Sequence, residues 1–248
     1  MAAIQKQLKT FSFVDEFDNL AGKSTGSLIC GLLTVPILES FHQQNKENIS
    51  LPGFPIDILN IYLDNCKQIF ASRSSPFSLY HSKYSSKFLE KLAEFYFGNI
   101  KLNELRKPIL IPAIKEVKSP DGKVYFENVY FKTKNSENIT LKDAVLASSS
   151  APTYFDPYRI ENELYRDGGI LHNNPAYLLF NEMTESYKEE NQENLIICSI
   201  GTGFLRKDPA ENELLYWGKI GLDSSITMSM TMKDVDNNLN AKLKGNYF

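Results

Sequence analysis

The five residues Gly22-Lys23-Ser24-Thr25-Gly26 match two different motifs that carry chemistry. As G-x-S-x-G they form a nucleophile elbow, in which the serine hydroxyl attacks an acyl carbon. As the end of a phosphate-binding P-loop they place the same hydroxyl on a magnesium ion. The residues around the motif help to distinguish the two.

A P-loop requires a glycine five residues before the second one, so that backbone N–H groups surround the phosphate oxygens. Phe17 occupies that position, and no glycine lies between it and Gly22. Asp18, inside the same loop, would repel a phosphate. The sequence therefore disfavours the phosphate-binding interpretation.

A nucleophile elbow is a sharp strand-to-helix turn, and it needs small residues on both sides of the serine. Gly22 and Gly26 meet that need, and the Thr25 N–H would stabilise an oxyanion at the start of the following helix. A glycine-rich turn in which Ser24 only caps the helix fits the same residues. The motif by itself leaves both interpretations open.

A nucleophilic serine also needs a general base. Among the three histidines only His172 lies far enough downstream to complete a Ser-acid-His order, and that order belongs to a fold with several strands before its elbow. Asp167 is the alternative base, because Gly168 and Gly169 after it let other backbone come close. A plain Asp-Gly turn remains the structural alternative.

Helical and strand patterns alternate along the chain and must position these residues. Strands are predicted over residues 17–22, 108–114, 124–131 and 195–201, with a loop over 41–54. Helices are predicted over residues 24–40, 55–70 and 85–98, from Thr140 to the small residues before Pro152, and after Pro175. This alternation predicts an α/β fold, three-layer α/β/α with a mostly parallel central sheet, in a single domain over residues 1–248.

The composition of the chain limits the classes of binding partner and the cellular locations that we expect. The net charge is -3 and no Lys/Arg cluster occurs, so no nucleic acid partner is expected. The longest apolar stretch, residues 28–38, is too short for a transmembrane segment. The three cysteines are odd in number and lie in apolar surroundings, which predicts buried free thiols and a cytoplasmic location, with a secreted effector or peripheral membrane protein as alternatives.

Four ordered motifs resemble the patatin-like phospholipases: the G-x-S-x-G elbow at Ser24, "ASSSAPTYFDP", Asp167-Gly168-Gly169 before "NNP", and "SIGTG". The resemblance covers nearly the whole chain. It implies a serine lipid acyl hydrolase acting on phospholipids or other acyl lipids, with transient membrane-surface contact. It further implies a Ser-Asp dyad, with Ser24 as nucleophile and Asp167 as general base, and neither a metal nor another cofactor.

The chain also departs from that family pattern. The family's glycine-rich D-G-G-G-x-R-G loop, which supplies further oxyanion N–H groups, has no counterpart before Ser24. Lys23 stands where small or hydroxylated residues are usual, and we expect it to point to solvent or to influence the Ser24 hydroxyl. We expect the domain to be truncated at both ends, and the alternative function is a catalytically inactive remnant that binds lipid or a partner.

Overall fold

The structure is a computed structural model. It describes residue 1, residues 13–36, 55–72, 82–136, 138–170, 174–186 and 195–201, and residue 239. The strands are β1 (Leu20–Ala21), β2 (Ile109–Lys118), β3 (Val124–Lys132), β4 (Tyr158–Ile160) and β5 (Glu163–Asp167). The helices are α1 (Thr25–Thr34), α2 (Pro55–Ile69), α3 (Lys87–Phe97), α4 (Leu141–Ser148) and α5 (Ala176–Ser186), with 3-10 turns at Phe13–Glu16, Leu102–Glu104 and Gly168–Ile170.

The α/β prediction is confirmed, but the described sheet is mixed rather than mostly parallel. Only β1 and β2 run parallel, whereas β2 pairs antiparallel with β3 and β5, and β4 pairs antiparallel with β5. The reason is local. Short turns at Asp121-Gly122 and Glu161-Asn162 join β2 to β3 and β4 to β5, and a short turn can connect only antiparallel neighbours.

The pairing registers on β2 determine where the strands end. Strand β3 pairs with Leu110 through Lys118 and so covers one edge of β2. A strand has only two edges, so β1, paired at Ile109 and Leu110, shares the other edge with β5, paired from Ala113 onwards. The two strands run toward each other along that edge, because β1 is parallel to β2 and β5 is antiparallel. Their carboxyl ends therefore meet near Pro112, whose missing N–H would have no strand partner there.

The core lies between the sheet and helices α1 to α4. Inward residues of β2, among them Ile109, Ile111 and Ala113, belong to one cluster of buried side chains with residues from all four helices. Helix α4 is central, since it contacts β2, β4 and β5 on the sheet as well as α1 and α3. Its first residue follows the N-cap Thr140, whose hydroxyl accepts the Asp143 N–H as the sequence predicts.

Helix α1 begins after Ser24 as predicted but ends at Thr34, earlier than the predicted residue 40. Val35 has ψ of 136°, the extended conformation imposed on a residue that precedes proline, and Pro36 follows it. Residues 37–40 lie outside the described residues, as does the predicted loop over 41–54. The proline thus ends the helix despite the apolar pattern that continues beyond it.

The remaining helix predictions are confirmed, with α2 beginning at Pro55, α3 ending before Gly98 and α5 following Pro175. The predicted strand over 195–201 is not among the strands of the described residues. No helix in the described ranges combines the length and apolar character needed to cross a bilayer.

Contacts divide the chain into two compact units, Met1–Gly168 and Gly169–Phe248. The first contains the sheet and α1 to α4. The second contains α5, with a small buried cluster of its own that includes Ala176, Phe180 and Ile197. The single domain over residues 1–248 stays a prediction.

The three free cysteines differ in exposure. Cys30 is buried on α1, and burial raises the pKa of its thiol to about 12. Cys66 is only half-buried and Cys198 is exposed, so the prediction of three buried thiols is wrong for these two. Cys198 lies in an apolar run, which does not reveal which side of the segment faces inward, whereas Cys66 is flanked by the polar residues Asn65 and Lys67.

Candidate active site

Ser24 occupies the sharp turn between β1 and α1. The Gly22 N–H donates to the Leu110 carbonyl of β2 at 3.1 Å, which ends the strand pairing. Ser24 then adopts φ 51° and ψ -127°, and α1 begins at the next residue. A non-glycine residue with positive φ outside the left-handed helical region is strained, and such residues concentrate at functional sites. This is the backbone expected of a nucleophile elbow.

The same dihedral angles argue against a simple helix-capping role for Ser24. A capping serine usually has extended backbone and accepts an N–H from the first helical turn. Ser24 is not extended, and its side chain makes no capping hydrogen bond. Of the two interpretations that the sequence leaves open, the elbow fits the geometry.

Gly22 and Gly26 differ in whether the surrounding atoms leave room for a side chain. A Cβ on Gly22 would lie 2.2 Å from the Gly26 carbonyl oxygen and 2.8 Å from Cys30 Sγ, so this position has no room for a side chain. A Cβ on Gly26 would meet no atom within 4 Å in the described part of the chain. The steric argument made from the sequence therefore holds for Gly22, whereas local packing does not explain Gly26.

Asp167 lies at the carboxyl end of β5 and is 5% exposed. It is paired with Ala113, and a Cβ on the following Gly168 would lie 2.2 Å from the Pro112 carbonyl oxygen. Ser24 thus follows the end of β1, and Asp167 is the last residue of β5. These two strand ends converge on Pro112. Direct hydrogen bonding between the Ser24 hydroxyl and the Asp167 carboxylate stays a prediction. Gly169 begins the second compact unit, and His172 lies outside the described residues.

Three consecutive serines at the end of α4, residues 148–150, hydrogen-bond to both segments. We call them the serine run. The Ser148 hydroxyl accepts the Ser24 N–H at 3.1 Å and donates to the Pro112 carbonyl at 2.6 Å. The Ser149 hydroxyl donates to the Ser24 carbonyl at 3.2 Å, and the Ser150 carbonyl accepts the Asp167 N–H at 3.1 Å.

Sequence reasoning assigned no role to the serine run. The signal was present, because the three serines lie inside "ASSSAPTYFDP", one of the motifs used for the family resemblance. What the sequence could not indicate is that one end of α4 lies against both strand ends. Ser148 and Ser149 hold the Ser24 backbone, and the Ser150 carbonyl holds the Asp167 backbone.

Thr25 is the first residue of α1 and lies on the exposed side of the elbow. Among the hydrogen bonds of the described residues none is donated by its backbone N–H. The first N–H groups of a helix have no partner within the helix and carry its positive dipole end. The Thr25 N–H is therefore free to stabilise an anion that forms beside Ser24.

Lys23 differs from the expectation that it points to solvent. The side chain is half-buried, and burial lowers the pKa of its ammonium group from the ordinary value of 10.5. The nearby Asp167 carboxylate partly offsets that shift by favouring the charged form. Lys23 is thus coupled electrostatically to the predicted general base.

A cavity of about 200 Å³ opens beside Ser24. Its described lining consists of hydroxyl residues at the elbow and apolar or aromatic residues from α1, α2, α3 and the segment after α4. They are Ser24, Thr25, Leu28, Tyr62, Ile69, Phe70, Leu89, Ser149, Ala151, Tyr154 and Phe155. An apolar cavity with a few polar groups at one place is the usual form of a small-molecule site.

Comparison with known proteins places the chain in one protein family. A model described as patatin-like phospholipase matches residues 3–180. Patatin-like protein 2 of Arabidopsis thaliana is 29% identical over 82% of this chain and 54% of its own length. The cGAMP-activated phospholipase of Escherichia coli (strain TW11681) is 29% identical over 76% of this chain and 51% of its own length.

The calcium-independent phospholipase A2-gamma of Rattus norvegicus is 27% identical over 77% of this chain and 25% of its own length. The chain thus spans about half the length of the plant and bacterial relatives and a quarter of the mammalian one. The family model, by contrast, covers most of this chain, including the elbow, the serine run and Asp167. The chain belongs to the patatin-like phospholipase family.

Proposed function

We propose that this chain is a serine lipid acyl hydrolase of the phospholipase A type, with Ser24 as nucleophile and Asp167 as general base. The observation that carries the proposal is the strained backbone of Ser24 at the start of α1. The convergence of β1 and β5 on Pro112 adds support, because it brings the segment with Asp167 to the same place.

In the proposed reaction the Ser24 Oγ attacks the ester carbonyl carbon and Asp167 accepts the hydroxyl proton. The carbonyl oxygen becomes an oxyanion, which the Thr25 N–H stabilises. The bond to the alcohol breaks, and the leaving oxygen takes the proton from Asp167. Water then gives a proton to Asp167 as it attacks the acyl-serine ester, and the departing Ser24 oxygen recovers that proton.

A carboxylate is a weak base toward a hydroxyl, since its ordinary pKa lies near 4. The dyad therefore relies on its surroundings more than a histidine-based site does. Asp167 is almost fully buried, and the oxyanion donor lowers the barrier of the attack as a whole. Lys23 stays close enough to interact with the Asp167 charge.

Transient contact with a lipid surface is part of this proposal. Ile56, Leu59 and Leu63 are exposed apolar residues, three and four positions apart on α2. The same helix contributes Tyr62 and Ile69 to the lining of the cavity beside Ser24. An apolar stripe of this kind favours the boundary between lipid headgroups and acyl chains.

The test is ester hydrolysis by the whole chain, assayed with phospholipid vesicles and with a chromogenic acyl ester in the presence of EDTA. Ser24→Ala and Asp167→Asn should each reduce the rate by at least about a thousandfold, and the double variant should lose no more, because the two residues act as a unit. His172→Ala should stay within a few-fold of the parent, as a Ser-Asp dyad does not use it.

Two outcomes would contradict the proposal. If His172→Ala abolished hydrolysis while Asp167→Asn did not, the base would be the histidine. If the chain neither hydrolysed esters nor reacted with a fluorophosphonate probe at Ser24, the catalytically inactive alternative, which binds lipid or a partner, would be the better account.

A further inference from the structure

The cavity beside Ser24 is lined by both buried and exposed side chains. Leu28, Leu89 and Phe155 are buried, whereas Phe70 is 40% exposed and Tyr154 is 47% exposed. Ser24 and Thr25 lie on the wall, so a group attached to Ser24 would have the cavity directly available.

The lining is suited to an alkyl chain and unsuited to a phosphate headgroup. None of the described lining residues is Lys, Arg, His, Asp or Glu. A charged headgroup would lose its hydration in the cavity without gaining a partner of opposite charge. Alkyl carbons would exchange water for contacts with Leu28, Ile69, Leu89 and Phe155, which is favourable.

The volume limits how much of a chain can enter. A group the size of a water molecule takes up about 30 Å³, and a methylene is of similar size. A cavity of about 200 Å³ therefore holds about six or seven carbons. Further carbons of a longer chain would lie outside this volume, beside exposed side chains such as those of Phe70 and Tyr154, and would gain much less burial.

We propose that this cavity binds the acyl chain of the substrate and recognises only its first six or seven carbons beyond the ester carbonyl. The inference rests on the proposed function and deepens it, because it assigns a chain-length preference to the same site. The enzyme would discriminate sharply among short chains and hardly at all among long ones.

Ala151 offers a way to shorten the cavity. It is half-buried on the wall, and its backbone N–H donates to the Ser149 carbonyl at 2.9 Å, a bond that a larger side chain leaves intact. Ala151→Leu adds three carbons and should remove the space of about three substrate carbons. Ala151→Val adds two and serves as the milder variant. Val124→Ala, at an exposed position of β3 and outside the cavity, is the control.

The experiment measures kcat/KM for 4-nitrophenyl esters from acetyl to hexadecanoyl. For the parent and for Val124→Ala, kcat/KM should rise about fourfold per methylene and level off near the octanoyl ester. In Ala151→Leu the plateau should begin about three carbons earlier, and in Ala151→Val about two. The octanoyl-to-butanoyl ratio should fall at least about tenfold in Ala151→Leu.

A second readout uses Ser24→Ala, which should bind fatty acid anions without turning over esters. Calorimetric titration should show affinity rising from butanoate to octanoate and no further gain with dodecanoate, and in Ala151→Leu the rise should end about three carbons earlier. A Ser24-dependent rate that is independent of chain length, or that keeps rising to hexadecanoyl, would overturn the inference while leaving the proposed function intact. If no ester is hydrolysed, the proposed function fails, and the titration with Ser24→Ala still decides whether the cavity binds chains of this length.

Discussion

Lys23 lies between the close-packed Gly22 and the strained Ser24, at a point where a long cationic side chain is costly to bury. Its ammonium group is half-buried, and desolvation is the larger effect on its pKa, which lies below the ordinary 10.5. The Asp167 carboxylate provides the compensating attraction. A single side chain at the elbow thus changes both stability and the electrostatic field around the base.

Lys23 should make stability rise with pH in the alkaline range. Between its lowered pKa and 10.5 the unfolded chain binds a proton that the folded chain has released, so the free energy of unfolding increases with pH. The contribution is complete above 10.5 and is lost as pH falls through the folded-state pKa.

The measurement is urea unfolding of the parent and of Lys23→Met at several values between pH 7 and pH 11. The parent should gain stability relative to Lys23→Met as pH rises toward 10.5. Lys91→Met, which removes an exposed lysine of α3, is the control and should show a flat difference from the parent. A flat difference for Lys23→Met as well would contradict the effect of burial.

At the scale of elements, the end of α4 organises the site. The helix contacts β2 and β5 and ends in the serine run, which hydrogen-bonds to the turn after β1 and to the last residue of β5. Ser148 is fully buried, and its hydroxyl satisfies the Ser24 N–H and the Pro112 carbonyl at once. It therefore keeps the strained turn at a fixed position relative to β2.

Ser148→Ala should lower kcat for ester hydrolysis at least tenfold with little change in KM, because it loosens the nucleophile more than the acyl cavity. It should also destabilise the fold by about 1–3 kcal/mol, since two buried polar groups lose their partner. Ser150→Ala is the matched control, because among the described residues its hydroxyl donates to the Leu146 carbonyl of α4, at 2.8 Å, and to neither Ser24 nor Pro112. Equal losses of kcat in both variants would show that the Ser148 hydrogen bonds do not position Ser24.

At the scale of the whole molecule, periodicity predicted the elements better than their arrangement. The helices at 55, 87, 141 and 176 follow from apolar spacing and from proline or threonine at their starts. The strand directions did not follow, because a pattern of apolar residues is the same for parallel and antiparallel pairing. The turns that decide the direction are short: five residues, 119–123, join β2 to β3, and two residues, 161–162, join β4 to β5.

The candidate site was predictable in its parts and not in its assembly. The spacing around Ser24 and the glycines after Asp167 indicated two special turns. Their convergence depends on β1 and β5 sharing one edge of β2 end to end, which is a property of the register. The cavity depends likewise on α2 and α3 lying beside α1, a contact between segments distant in sequence.

The positive φ of Ser24 has a consequence for thermostability. A non-glycine residue in such a conformation costs on the order of 1–3 kcal/mol, which glycine does not incur, although glycine loses about 0.4–1 kcal/mol through its freer unfolded chain. The free energy of unfolding of Ser24→Gly should therefore exceed that of Ser24→Ala by about 0.5–1 kcal/mol, as measured by urea unfolding. Both variants should be inactive. If Ser24→Ala were the more stable, the turn would hold no strain. Because Ser24→Gly relieves this strain, selection for heat resistance alone would favour loss of the nucleophile, so variants of this protein should be screened for turnover and melting temperature together.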